Sequence, residues 1–243
     1  MKTLVLVLAV LICSANAQES TVNNDATLVT RVLKDARNLE TVPFSEVVES
    51  ATGHHVIPVD RNLHDHTLTK LTAVIDQVVE KLGEPKHPIH AVGRINEASR
   101  FIEDELFAAF NRVPDWKCSI PETTGGAAQR SGYPDLLLET PDGAFYLDPK
   151  LYSQESESSS LRTFYYEPRV ETNKIQSDAV HLLVGIMHTG WQNGKIGFTR
   201  WSLVDLATMQ LRLKAEFQAS NREIYSTGRT IASSASGDGI DKK

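Results

Sequence analysis

The chain has 243 residues, 41% of them hydrophobic, and a formal net charge of −6. That length and apolar share suit one large globular domain or two small ones, and the acidic balance argues against a broad basic nucleic-acid surface but not against a local basic groove. The cysteine count of 2, one of them in a leader described next, excludes an internal disulfide and a zinc–cysteine centre.

In chain order, Met1-Lys2 is a short positive start, Thr3 to Ile12 an apolar run too short to span a bilayer, and Ala15-Asn16-Ala17 a small-x-small cleavage site. This pattern predicts a secretory signal peptide over residues 1–17 and an exported protein, periplasmic or secreted, with no membrane association after cleavage. Cys13 is not preceded by a small residue, so a lipoprotein signal is not expected. Cys118 then remains alone, and a buried free thiol is its expected state.

Residues 18–90 read as an N-terminal helical region, with helices over Ala26 to Glu40 and His66 to Leu82 and a loop over Thr52 to Asp65. The second helix carries Leu68, Leu71, Ile75, Val78 and Val79 on one face. Residues 91–219 read as an α/β core and residues 220–243 as a disordered tail rich in Ser, Gly and charge.

The core opens with a helix over Ile95 to Phe110, whose apolar face is Ile95, Ala98, Ile102, Leu106 and Ala109. Glu103 and Glu105 flank that face, and Glu97 points further away. A flexible loop from Thr123 to Gly132 follows, then a hairpin of Leu136-Leu137-Leu138 and Ala144-Phe145-Tyr146-Leu147. Thr140-Pro141-Asp142-Gly143 is its turn, with proline second and glycine fourth. Closing the hairpin there sets Asp135 opposite Asp148, and Lys150, two residues on, shares their face. Two carboxylates that repel each other invite a hard divalent cation, which oxygen ligands hold well. The lysine beside them can orient an attacking water. Pro149 cannot donate a ladder bond but keeps its carbonyl as a further ligand.

Beyond the hairpin, Ser153 to Ser160 is a Ser/Glu-rich loop. Arg130, Arg162, Arg169 and Lys174 supply basic groups around the motif. Tyr165 and Tyr166 lie among them as candidates for base stacking, although Thr163-Phe164-Tyr165-Tyr166 also reads as an ordinary strand. Val180 to Met187 reads as a buried strand, Gly190 to Gly194 as a turn, and Ile196 to Val204 as a further strand. Asp205 reads as the cap of a helix running to about Phe217.

Pro134-Asp135, Asp148-Pro149-Lys150, the hairpin joining them and the acidic helix before it resemble the PD-(D/E)XK, or restriction-endonuclease-like, nuclease superfamily. The resemblance spans about Ile95 to Leu213. It implies an α/β fold with a mixed central sheet flanked by helices. It also implies a Mg²⁺-dependent endonuclease, with Mn²⁺ as the alternative metal, whose partner is DNA and which can act as a homodimer. Asp135 and Asp148 would bind the metal with help from Glu103, and Lys150 would position the water. Glu97 and Glu105 are the substitutes for Glu103.

Two other readings stay open. One is a catalytically silent nucleic-acid-binding module of the same fold, against which the retained aspartates and lysine argue. The other is a histidine-based metal protein built on His64-Asp65-His66, His87, His90 and His54-His55, although no His-Glu-x-x-His motif joins them. The chain also lacks a Gly-x-Ser-x-Gly elbow, a phosphate loop and a dinucleotide fingerprint.

Overall fold

The computed structural model describes residues 27–35, 41–159, 164–168, 170–214 and 218–224. The leader over residues 1–17, Arg162, Arg169, Ser160, Phe217 and most of the tail lie outside the described residues. One compact unit comprises Thr41–Leu211. The other comprises residues 1–40 and 212–243, in which a solvent-exposed helix over 27–35 (α1) and a short helix, Asn221–Ile224, are described.

Within Thr41–Leu211 the elements run β1 (Val42–Pro43), α2 (Phe44–Thr52), β2 (Val56–Ile57), α3 (Arg61–Leu82), α4 (Ile95–Phe110), β3 (Lys117–Ser119), β4 (Leu136–Thr140), β5 (Gly143–Ser153), β6 (Ala179–Gln192), β7 (Lys195–Asp205) and β8 (Gln210–Leu211). The main sheet has the order β2-β6-β5-β4-β3, and β7 pairs with β6. The β3–β4, β4–β5 and β6–β7 pairs are antiparallel, whereas β5–β6 and β2–β6 are parallel. The sheet is therefore mixed, with helices against it. This is the α/β, restriction-endonuclease-like architecture that the resemblance implies.

Alternation along β5 sorts its side chains onto two faces. Phe145 and Leu147 join Leu136 and Leu138 in the larger core beneath α3 and α4. Ala98, Ile102, Leu106, Ala109 and Phe110 form the buried stripe of α4. Full burial of each leucine or isoleucine there contributes roughly 1.5–3 kcal/mol. Tyr146 points the other way, into a second core with Phe44 and Val48 of α2, Tyr133, Ile175, Ala179 and Leu206. Because α3 shares the larger core with the sheet, the compact unit runs across residue 90, where the helical region and the α/β core were set apart above.

Several local expectations need correction. The helix expected from His66 begins at Arg61, because the Asp60 side chain caps it by accepting from the Asn62 N–H at 2.8 Å. The stretch 52–65 is not all loop: Val56–Ile57 pairs in parallel with Ala179–Val180. The turn expected at Gly190–Gly194 is only Asn193-Gly194, with φ of 52° and 76°. Two consecutive positive φ values are those of the tight turns that match strand twist. Gly190 lies instead within β6, between residues where the register with β7 shifts.

Asp205 caps no helix. Its Oδ1 accepts from Ala207 N–H at 2.9 Å and its Oδ2 from Val59 N–H at 3.0 Å. The chain then turns back as β8 to pair with β1, so residues 206–214 are not helical. Residues 164–168 form no strand either. Phe164 and Tyr166 turn inward, with ring centroids 5.2 Å and 5.8 Å from that of Tyr133. Cys118 is buried in β3, and that burial pushes its thiol up to about 12. Among the described residues no helix is long and apolar enough to cross a membrane.

Candidate active site

The hairpin register carries the site. Leu136 pairs with Leu147 and Thr140 with Gly143, so the same register continues to Asp135 and Asp148. The Asp135 N–H bonds to the Leu147 carbonyl at 3.2 Å, which ties Asp135 to the end of the ladder. β4 pairs with β5 no further than Leu147. Pro149 thus falls where β5 has lost its β4 neighbour, and its missing N–H breaks no bond on that side.

The parallel partner β6 completes the floor. Asp148 lies opposite Leu183, and Lys150 lies opposite Gly185, which itself lies opposite Ser202 of β7. Gly185 keeps the row beside Lys150 low: a Cβ there would stand 3.3 Å from Tyr152 Cε1.

Three charged side chains meet on this floor. Lys150 Nζ lies 2.7 Å from Asp148 Oδ2 and 3.5 Å from Asp135 Oδ2. Exposure rises outward from 3% for the Asp148 side chain to 12% for Asp135 and 29% for Lys150. Burial raises the Asp148 carboxyl to about 7, and the Asp135 charge adds to this, against the pull of Lys150. For Lys150, burial favours the neutral amine, but Asp148 and Asp135 outweigh it and hold the ammonium above its ordinary value. The Lys150 ammonium therefore sits between two carboxylates, one of them costly to ionise.

Below the acids lies a polar pair that the sequence did not single out. Tyr133 Oη is 2.7 Å from His181 Nδ1, and the two rings stack with centroids 5.9 Å apart. Burial drops the His181 imidazole to about 3, and burial with the Asp148 charge pushes the Tyr133 phenol well above its usual value. Both are neutral at physiological pH, so the Tyr133 hydroxyl and His181 Nδ1 share one hydrogen bond whose direction follows the imidazole tautomer. Alternation along β6 places His181 opposite Tyr146, and that register was its only signal.

The helix acids separate. Glu103 is 18% exposed and faces Arg130, whose Nη1 is 3.4 Å from Glu103 Oε2 and whose Nη2 is 2.7 Å from Asp104 Oδ1. Burial and the Asp135 charge raise the Glu103 carboxyl, so Glu103 lies in the field of the hairpin acids. Glu105 is committed elsewhere, to Lys81 at 2.6 Å and His87 at 3.3 Å. Glu97 is exposed in the first turn of α4. The structure thus brings Asp135, Asp148 and Lys150 into contact and leaves Glu103 at the margin. The buried stripe of α4 joins the core on the face of the sheet opposite the acids.

Among the described residues, no group of three or more His, Cys, Asp or Glu side chains stands close enough to hold a metal ion. Of the histidines proposed for such a site, His66 is exposed on α3 and the others are engaged in the fold. His64 Nδ1 accepts from Asp60 N–H, His87 Nδ1 accepts from Ile89 N–H, and His90 Nδ1 accepts from Ile196 N–H. His54 and His55 face Asp178 and Glu49.

The donor set at Asp135 and Asp148 nevertheless suits a hard cation. Magnesium is commonly held by one or two carboxylates, with water and substrate phosphate filling the rest. Asp148 Oδ2 is buried against the Lys150 ammonium at 2.7 Å, and the same ammonium also serves Asp135, so two carboxylates share one positive charge. A divalent cation would meet the remaining negative charge with oxygen ligands it favours.

Of the basic groups, Arg130 is at the margin of the site, as noted. Lys174 is not in a groove but fully buried. Tyr165 is half exposed, and its hydroxyl donates to Glu167 at 2.8 Å.

The model of the type II restriction enzyme MjaV family matches residues 37–228. The type II restriction enzyme MjaV of Methanocaldococcus jannaschii is 28% identical over 207 residues, which cover 77% of this chain and 86% of that protein. No solved structure matches the chain. The chain belongs to the type II restriction enzyme MjaV family, and so to the restriction-endonuclease-like nucleases.

Proposed function

We propose that this family member is a metal-dependent endonuclease that hydrolyses DNA phosphodiester bonds, using Asp135, Asp148 and Lys150. The observation that carries the reading is the convergence of these side chains at the open end of one hairpin, with the Lys150 ammonium between both carboxylates. Family membership supports DNA as the substrate class, since the relative is named a restriction enzyme.

In this reading Asp135 and Asp148 would hold Mg²⁺ or Mn²⁺, with Glu103 joining them if freed from Arg130. Such a cation, when bound, would polarise the phosphate and acidify a coordinated water. Asp148 would serve as a ligand in its ionised form. Lys150, the most exposed of the three, would turn from the carboxylates toward the water or the scissile phosphate, where its ammonium would orient the attack and offset the charge that develops on oxygen. Leu183 stands opposite Asp148 in the β5–β6 register, on the face that carries the acids.

Cutting both strands of a duplex calls for two such sites, so the working form is proposed to be a homodimer. Export is proposed from residues 1–17, and mass spectrometry of secreted protein should find an N-terminus near Gln18. The deciding experiment incubates supercoiled plasmid with purified protein, with and without Mg²⁺. Nicked or linear plasmid only with the metal is expected. No cleavage with either Mg²⁺ or Mn²⁺ on any DNA tested would refute the enzyme reading.

A further inference from the structure

Alternation gives the β5–β6–β7 part of the sheet two unlike faces. Leu147, Leu151, Val184, Ile186, Trp201 and Leu203 pack into the larger core. The other face carries Asp148 and continues along the paired rows as Lys150 beside Gly185 and Ser202, then Tyr152 beside Met187 and Arg200. Side-chain exposure climbs along it, from 3% at Asp148 to 29% at Lys150 and 47% at Arg200. These two rows beyond Asp148 carry no acid: their polar ends are one ammonium, one guanidinium and two hydroxyls. In a chain of net charge −6 that is a local reversal of sign.

Arg200 already holds an oxyanion. Its Nη2 contacts Glu157 Oε1, and that glutamate follows a turn over Gln154–Ser156 pinned to the end of β5. Ser156 Oγ accepts from the Ser153 N–H at 3.0 Å, and Ser153 Oγ accepts from the Ser156 N–H at 3.3 Å. Both partners of the ion pair are about half exposed. An exposed pair of this kind contributes little, so a competing anion displaces the carboxylate at small cost. A phosphodiester offers the guanidinium fork two oxygens, as the carboxylate does. Two strand spacings and one side-chain repeat separate Arg200 from Lys150, roughly 12 Å between their Cα atoms. Successive charges on one DNA strand rise by about 3.4 Å, so that span covers a few phosphates.

We infer that this face seats the backbone of the DNA duplex beside the scissile phosphate, with Arg200 as a phosphate-binding residue and Glu157 as the stand-in for that phosphate in the free protein. The placement rests on the DNA-endonuclease reading above and adds to it a surface and a contact. Glu157 must give way when DNA arrives, so it lowers affinity, whereas Arg200 raises it. The two members of a purely structural ion pair would act in the same direction.

The test follows binding of a labelled duplex of about 30 base pairs to the full chain by fluorescence anisotropy, in EDTA and over a salt series. A phosphate contact carries no sequence information, so any duplex reports it. Arg200→Ala should bind about tenfold more weakly and lose about 0.9 from the slope of log affinity against log salt. Arg200→Lys should keep the slope and recover part of the affinity. Glu157→Gln should bind about threefold more tightly. Arg61→Ala, which removes an ion-paired arginine from α3, should change neither quantity.

Unchanged affinity and slope in a folded Arg200→Ala protein, an equal loss in Arg61→Ala, or binding by Glu157→Gln that is no tighter than the parent's overturns the inference. Should Arg200→Ala not fold, Glu157→Gln decides. Any of these results with a parent that cleaves plasmid leaves the endonuclease reading standing. A parent that binds duplex through Arg200 but never cleaves overturns that reading and keeps the seat, and one that neither binds nor cleaves overturns both.

Discussion

The two ends of the β4–β5 hairpin each carry an aspartate, and the two live in opposite environments. At the closed end, the Asp142 carboxylate accepts from the Thr67 hydroxyl at 2.7 Å and the Thr67 N–H at 3.1 Å. Those bonds hold its carboxyl below the usual range and pin the turn to α3. At the open end, Asp148 is buried beside a second carboxylate and raised to about 7. The turn acid is satisfied and structural. The floor acid is buried and shares one ammonium with its neighbouring carboxylate. One hairpin thus separates a stabilising contact from the chemistry proposed for its other end.

The sharpest way to break this contrast is Asp148→Asn. It nearly preserves shape but removes the charge a cation needs, and DNA cleavage should fall at least about a thousandfold. The linkage has a definite sign. Asp148 binds its proton more tightly when folded, so its contribution to metal-free stability is present at low pH and is lost as pH rises through about 7. Denaturation of the Asp148→Asn protein at pH 8 should therefore show stability equal to or above the parent. A large loss there would make Asp148 a structural residue.

Lys150→Ala comes next. Single-turnover cleavage should slow by about a hundredfold or more. Mg²⁺ affinity should hold or rise, because a like charge leaves the two acids. Calorimetry beside a cleavage time course checks both halves, and a variant that folds but loses Mg²⁺ binding contradicts the role given to the ammonium.

The third test keeps the protein unaltered. Protons and cation compete for Asp148, so Mg²⁺ affinity should fall by up to about tenfold per unit as pH drops below 7 and level off above it. Titrations across pH 5.5–8.5 should trace that bend, and Asp148→Asn should flatten it.

The smallest effect is expected at the other end. Asp142→Ala removes the tie to Thr67 but no cleft group. Turnover per folded molecule should stay within about twofold, while the melting temperature falls. The loss should shrink at low pH, because an acid with a depressed pKa contributes only while it is ionised. A large activity loss without unfolding would show that the two ends are not independent.

Much was legible before any fold was known. The stripe Ala98, Ile102, Leu106 and Ala109 specified α4, and alternation with a Pro-Asp-Gly turn specified the hairpin and its register. Both signals are local. Helical spacing and strand alternation are written in neighbouring residues, so Asp135, Asp148 and Lys150 fall onto one face once the turn closes. The errors came where distant partners overrode local preference. Asp205 looks like a helix cap, but its carboxylate is claimed by Val59, 146 residues earlier in the chain, and the chain after it is drawn to β1. Phe164 and Tyr166 look like strand residues but fill the core around Phe44 and Tyr133.

The sequence by itself determined which groups could do chemistry and that three of them would share a hairpin face. Only the tertiary structure decided their ionisation and their company. It sets Asp148 opposite Leu183 and within reach of Lys150, and sets Glu103 against Arg130 rather than among the acids. The reason is physical: identity and spacing travel with the chain, but desolvation and charge coupling depend on what lies around a group, and here those neighbours come from remote positions.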